Sequence, residues 1–170
     1  MTAALLLIDI QKDFCAGGAL AVPDGDAVVP VVNSLMPQFE HVLLTQDWHP
    51  PRHNSFASEH SGKAPFETAA MPYGEQTLWP EHCVAGGDGA AFHPDLNTLR
   101  GYLRERGLTD LTVAGLAFDY CVLYSALDAR RLGFGVTVVQ AGCRAIDLDG
   151  SAAAATAAMQ DAGVRLVEAL

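Results

Sequence analysis

Apolar positions along this chain fall in short dense runs separated by stretches of helical spacing. Residues 4–10 (ALLLIDI) are almost continuously apolar and run into an acid, the pattern of a strand buried on both faces of a parallel sheet. Residues 41–45 (HVLLT), 111–115 (LTVAG), 136–140 and 164–167 repeat it. Val28, Val31, Val32, Leu35 and Phe39 lie at helical spacing, with Asp26 read as the N-cap and Pro30 near the first turn, where a missing N–H is tolerated. Residues 99–106, 121–132 and 151–162 predict further helices, the first two stopped by Gly107 and Gly133. Strands alternating with helices predict βαβ units, hence an α/β fold with three layers (α/β/α) and a mostly parallel sheet. Residues 47–98 break the rhythm. They are rich in Pro, Gly, His and Ser, have no clear period, and exceed the ~12–15 residues beyond which a structureless loop is unusual.

In such sheets, sites form beyond the carboxyl ends of the strands. Asp9 stands near the end of the first strand, Asp47 just beyond the second, and Cys121 a few residues beyond the strand at 111–115. All three are expected on one edge of the sheet.

Composition narrows the class. With 170 residues, half of them hydrophobic and 18% charged, one folded domain over 1–170 is expected. A formal net charge of −10 disfavours nucleic acid as a partner. No apolar run approaches the roughly 18 residues of a membrane span. The first run lacks a basic leader and is broken by Asp9, so it reads as a strand and not a signal peptide. Four dispersed cysteines without a CxxC pair point to reduced thiols and a cytoplasmic setting.

The candidate chemistry centres on two groups. Residues 115–121 (GLAFDYC) join a strand to a helix and place Cys121 near the helix N-terminus, where unpaired N–H groups favour a thiolate and could bind an oxyanion. A small buried residue is an equally common role for such a cysteine. Asp9 shifts the balance, since a carboxylate at a neighbouring strand end can take the thiol proton. Asp47 and His49 stand two apart, on one side of an extended chain, with His53 four residues on and His82 as a remote partner. Such ligands suit Zn²⁺, Fe²⁺ or Mn²⁺ and leave positions open for water or substrate. A DxH pair in a loop is also ordinary surface decoration. His41, His60 and His93 are read as surface histidines, and Cys15, Cys83 and Cys143 as small buried or half-buried residues.

Taken together, LLIDIQKDF at 6–14, GGALAVP at 17–23, QDWHP at 46–50, WPEHC at 79–83 and GLAFDYCV at 115–122 resemble the isochorismatase-like cysteine hydrolases, and within them the nicotinamidase/pyrazinamidase branch. The resemblance implies hydrolysis of nicotinamide to nicotinate and ammonia through a Cys121 thioester, with pyrazinamide as a second substrate. Asp9 would be the base, and the Ala117 and Cys121 N–H groups the oxyanion hole, next to a cis peptide between Leu116 and Ala117. Phe14 and Trp79 would sandwich the ring. Asp47, His49 and His82, with His53 in some members, would hold one divalent metal, Zn²⁺ first and Fe²⁺ or Mn²⁺ as alternatives. A homo-oligomer is compatible with the resemblance. The runner-up is a related amidohydrolase acting on a ureido or carbamoyl substrate, or a metal-binding remnant with impaired catalysis.

That last reading comes from a departure. The family carries a catalytic lysine at the end of a strand between the WPxHC motif and the cysteine strand. Here the only lysines are Lys12 and Lys63, and neither stands at that place. A strand and loop are missing near 96–98. Either a stretch of chain is left out of the 170 residues at this point, or the protein lacks the strand. The first account is favoured, since losing a sheet strand exposes core and an unpaired edge. If the strand is truly gone, weak amidase activity is expected.

Overall fold

The computed structural model describes residues 3–96 and 109–170. The helix expected over 99–106, its stop at Gly107 and positions 97–98 of the junction lie outside them.

Seven strands are present among the described residues: β1 (Ala3–Ile8), β2 (His41–Leu44), β3 (Thr68–Met71), β4 (Gly74–Thr77), β5 (Asp110–Leu116), β6 (Gly135–Arg144) and β7 (Arg165–Val167). The α-helices are α1 (Val28–Leu35), α2 (Leu123–Arg131) and α3 (Ser151–Asp161). Five strands form one parallel sheet in the order β2-β1-β5-β6-β7. Side-chain alternation divides the core into two layers. Leu5, Leu7, Ala114 and Val139 pack with Val28, Val32 and Leu35 of α1 on one face. Ile8, Val113 and Val138 pack with Ala126 of α2 and with Ala155 and Met159 of α3 on the other. The expected three layers are present. No helix among the described residues is long and apolar enough to cross a membrane.

Three details differ from expectation. Asp26 does not cap α1: its carboxylate accepts the Ala16 N–H at 2.7 Å, and a 3₁₀ turn, Gly25–Ala27, leads into the helix. The region 47–98 holds an antiparallel hairpin, β3–β4. Its strands, TAAM and GEQT, are largely exposed and lack clean alternation, so backbone pairing defines them where side-chain pattern does not. β2 is half-buried along its length and, among the described residues, pairs only with β1.

β1 stops at Ile8 because Asp9 turns into the left-handed region, with φ 48°. Opposite it, Gly115 pairs with Ile8 at φ 139°, and any Cβ there would collide with the Ile8 carbonyl. This close approach sets the spacing of the two central strand ends. Replacing Gly115 by Ala should therefore destabilise the fold by about 3 kcal/mol or more. Chemical denaturation checks this, and an unchanged midpoint would refute it.

Candidate active site

The chain order reverses between β1 and β5, with β2 on one side and β6 on the other. Such a switch point opens a crevice beyond the strand ends. Asp9 enters it directly from β1 and is almost fully buried. The Thr45 hydroxyl donates to its Oδ1 at 2.6 Å, and the Asp9 N–H donates back to the Thr45 oxygen at 3.2 Å. Cys121 enters from the other strand. A cis peptide joins Leu116 to Ala117, and a wide π turn, Phe118–Val122, carries Cys121 into α2. The helix expected to begin at 121 thus begins as this turn. Asp119 fixes the turn, accepting the N–H groups of Ile146 and Asp147 at 3.0 and 2.8 Å and the Ser151 hydroxyl at 2.5 Å.

Cys121 and Asp9 lie beside one another, close enough for thiol and carboxylate to act on each other's ionisation, with the Ala117 backbone next to the sulfur. Burial raises the Asp9 pKa above the ordinary carboxylate value, opposed by the hydrogen bonds from Thr45 and Cys121. Burial also pushes the Cys121 thiol far up, reinforced by the Asp9 charge. Burial thus works against the thiolate that the helix-terminus argument favours.

The second cluster forms beside this pair. Asp47 lies with Oδ1 3.0 Å from His49 Nε2 and Oδ2 3.2 Å from His82 Nε2. The donor atoms of these three residues all lie within 4.8 Å of one another. His82 is buried and its Nδ1 bonds the Pro80 carbonyl at 2.8 Å, leaving Nε2 to face the cluster, as in histidines that bind metals. Burial opposes ionisation of Asp47, but hydrogen bonds from His49 and His82 hold its carboxyl below the ordinary range. His53 stacks near His49, with ring centroids 4.6 Å apart, and its Nδ1 is taken by the Ser55 hydroxyl at 2.8 Å. It stands next to the trio and is not among its converging donors.

Both clusters open into a cavity of about 310 Å³ whose walls include Phe14, Trp79, Asp47, His82, Ala117 and Cys121. Phe14 meets the His82 ring at 5.7 Å, and Trp79 meets Tyr120 edge-on at 5.1 Å. The structure thus brings Asp9, Cys121, Ala117, Phe14, Trp79, Asp47, His49 and His82 together, with His53 on the rim. Among the described residues no lysine or arginine lines the cavity. Lys12 pairs with Asp88 at 2.6 Å and Lys63 is exposed.

Sequence reasoning missed the supports. Gln11 is fully buried. Its amide donates to the carbonyls of Asp47 and Ala90 at 2.9 and 2.8 Å and accepts the Asp47 N–H at 2.7 Å. Asp13 accepts the Cys83 N–H at 2.7 Å, holding the loop that carries His82. The one available signal was a polar residue three positions beyond the end of a buried strand. Gln11→Leu keeps the volume but leaves several backbone groups unpaired. It should cost about 2 kcal/mol or more and weaken Zn²⁺ binding about 10–100-fold. Thermal unfolding and a Zn²⁺ titration check this, and no change in either would contradict the assignment.

Comparison with known proteins fits this geometry. The model of the isochorismatase domain matches residues 3–169. A nicotinamidase of Acinetobacter baylyi is 39% identical, with 96% of this chain and 91% of that protein covered. Its alignment runs over 195 positions, more than the 170 residues present here, so the relative carries residues without counterpart in this chain. A solved nicotinamidase/pyrazinamidase from Acinetobacter baumannii superposes with a TM-score of 0.95 at 41% identity, covering 98% of this chain and 95% of that one. A pyrazinamidase of Pyrococcus horikoshii solved in complex with zinc has a TM-score of 0.73 at 28% identity, covering 98% and 99%. With a thiol–carboxylate pair at the switch point, a histidine–carboxylate trio beside it and a family match over nearly its whole length, the chain belongs to the isochorismatase domain family.

Proposed function

We propose that this protein is a nicotinamidase, hydrolysing nicotinamide to nicotinate and ammonia, with pyrazinamide as a second substrate. The observation that carries the reading is Cys121, backed by the buried Asp9, in the wall of a cavity that Asp47, His49 and His82 also line. The Cys121 sulfur attacks the carboxamide carbon as its proton passes to Asp9. The carbonyl oxygen develops negative charge, and the N–H groups of Ala117 and Cys121 are the donors assigned to it. Asp9 returns the proton to nitrogen, the C–N bond breaks, and ammonia leaves a thioester on Cys121. Water, deprotonated by Asp9, then attacks the thioester carbon. The C–S bond breaks, nicotinate departs and the thiol regains its proton.

Phe14 and Trp79 are assigned to the pyridine ring, which both can meet from the cavity wall. Asp47, His49 and His82 offer one oxygen and two nitrogens, a donor set that suits a divalent metal with Zn²⁺ first. Such an ion supplies a Lewis-acidic point that orients the pyridine nitrogen. The zinc complex of the Pyrococcus relative supports that assignment.

Among the described residues no lysine or arginine lines the cavity, and if the chain truly lacks the strand near 96–98, a slower variant of the same chemistry follows. Among the described residues no positive side chain in the cavity wall offsets the burial that raises the Cys121 thiol pKa. A turnover rate at least about 10²-fold below that of a lysine-bearing relative is expected, and equal rates measured side by side would remove this reading.

Asp9→Asn should abolish ammonia release, with a loss of about 10²–10⁴-fold, while Cys121 still reacts with a small alkylating agent. The Asp9 charge raises the thiol pKa, so removing it makes the thiol easier to ionise. Retained turnover in Asp9→Asn would contradict the role of base. Because burial raises Asp9, the acid limb of kcat/KM should lie above the ordinary aspartate value of about 3.9. A limb at or below that value would show that a different group titrates.

A further inference from the structure

Outside the cavity just described lies a second group of metal-ligating side chains. Cys15, Asp26 and His93 each present one donor atom, and these atoms all lie within 4.8 Å of one another. Nothing in the proposed reaction uses them. Cys15 follows the turn Lys12–Phe14 and is 2% exposed. Asp26 comes from the 3₁₀ turn before α1, and His93 from the loop after the Gln11–Phe92 bridge. The three open into a separate cavity of about 350 Å³, which Asp13 and Asp88 also line.

We propose that Cys15, Asp26 and His93 form a second metal site for a thiophilic divalent ion, Zn²⁺ in the first instance. The His93 Nε2–Asp26 Oδ1 separation of 3.2 Å equals that of His82 and Asp47 in the first cluster. One sulfur, one nitrogen and one oxygen make a borderline-soft donor set, and the cavity leaves room for water as a fourth ligand. The metal-free form is held by other bonds. His93 Nδ1 accepts the Asp95 N–H at 3.2 Å, and its Nε2 faces Asp26. Asp26 Oδ2 is engaged by the Ala16 N–H, leaving Oδ1 for an ion. Binding therefore displaces one proton and relocates another. The thiol proton leaves to solvent, and the ring proton moves from Nε2 to Nδ1 as the Asp95 contact is released. The bound ion ties together three segments, one of which carries Phe14 next to Cys15, so it steadies a residue of the substrate cavity wall without touching substrate.

The test is metal counting on the full chain after dialysis against Zn²⁺, paired with the absorption spectrum of the Co²⁺-loaded protein. Two Zn²⁺ per chain are expected for the wild type and one for Cys15→Ser and for His93→Gln. Asp47→Ala, which removes a ligand of the first cluster, should keep one. Co²⁺ should give a thiolate charge-transfer band that survives in Asp47→Ala and disappears in Cys15→Ser. If Cys15→Ser fails to fold by circular dichroism, the count on His93→Gln and the band in Asp47→Ala decide. No ion and no band in Asp47→Ala, or an undiminished count in His93→Gln, would overturn the site.

Discussion

Ile8 and Gly115 lie opposite one another in parallel strands, and the chemistry of this protein depends on how closely they approach. Gly115 has no Cβ to hold the Ile8 carbonyl away. The next residue of β1 is Asp9, and the strand after Gly115 turns through a cis peptide and a π turn to Cys121. Two residues over a hundred positions apart in sequence are thereby placed side by side. The rest of the site is fitted around that contact. Thr45 orients Asp9 from β2's end, and Asp119 anchors the turn that carries the thiol.

The electrostatics of the crevice follow from burial more than from charge pairing. Asp9 and Cys121 both lose water, so both resist ionising, and Asp47 nearby adds negative potential. Charge is disfavoured on both members of the pair, and the proposed reaction passes the proton from one to the other as the sulfur attacks carbon. Asp47 has the opposite balance, since two imidazoles compensate its burial. Two acids a few residues beyond adjacent strand ends are thus separated in role by their neighbours: one is free to take a proton, the other is committed to its histidines.

Much of this was legible in the chain. The runs at 4–10 and 111–115 are so densely apolar that only a buried strand suits them, and the strand-end rule then brought Asp9 and Cys121 together. The Asp47–His49 spacing needed only an extended backbone, which the main-chain bonds of His49 with Cys83 and Ala85 impose. What stayed hidden depended on distant partners. Gln11 looks like any polar residue until Asp47's backbone closes on it. Asp26 stands where an N-cap belongs, yet the Ala16 N–H, ten residues earlier, takes its carboxylate. His93 and Cys15 read singly as bland, because nothing local shows that residues 78 positions apart meet. The hairpin at 68–77 has no pattern to read, being held by backbone bonds and mostly exposed.

The central claim is that Cys121 forms a covalent acyl intermediate with Asp9 as its proton partner. Its most direct measurement is intact mass of the protein quenched in acid within its first turnovers of nicotinamide, followed by peptide mapping. The account predicts a mass increase of one nicotinoyl group on the peptide containing Cys121, absent in Cys121→Ala. Ammonia release by wild-type protein with no adduct on Cys121, or undiminished release by Cys121→Ala, would contradict it.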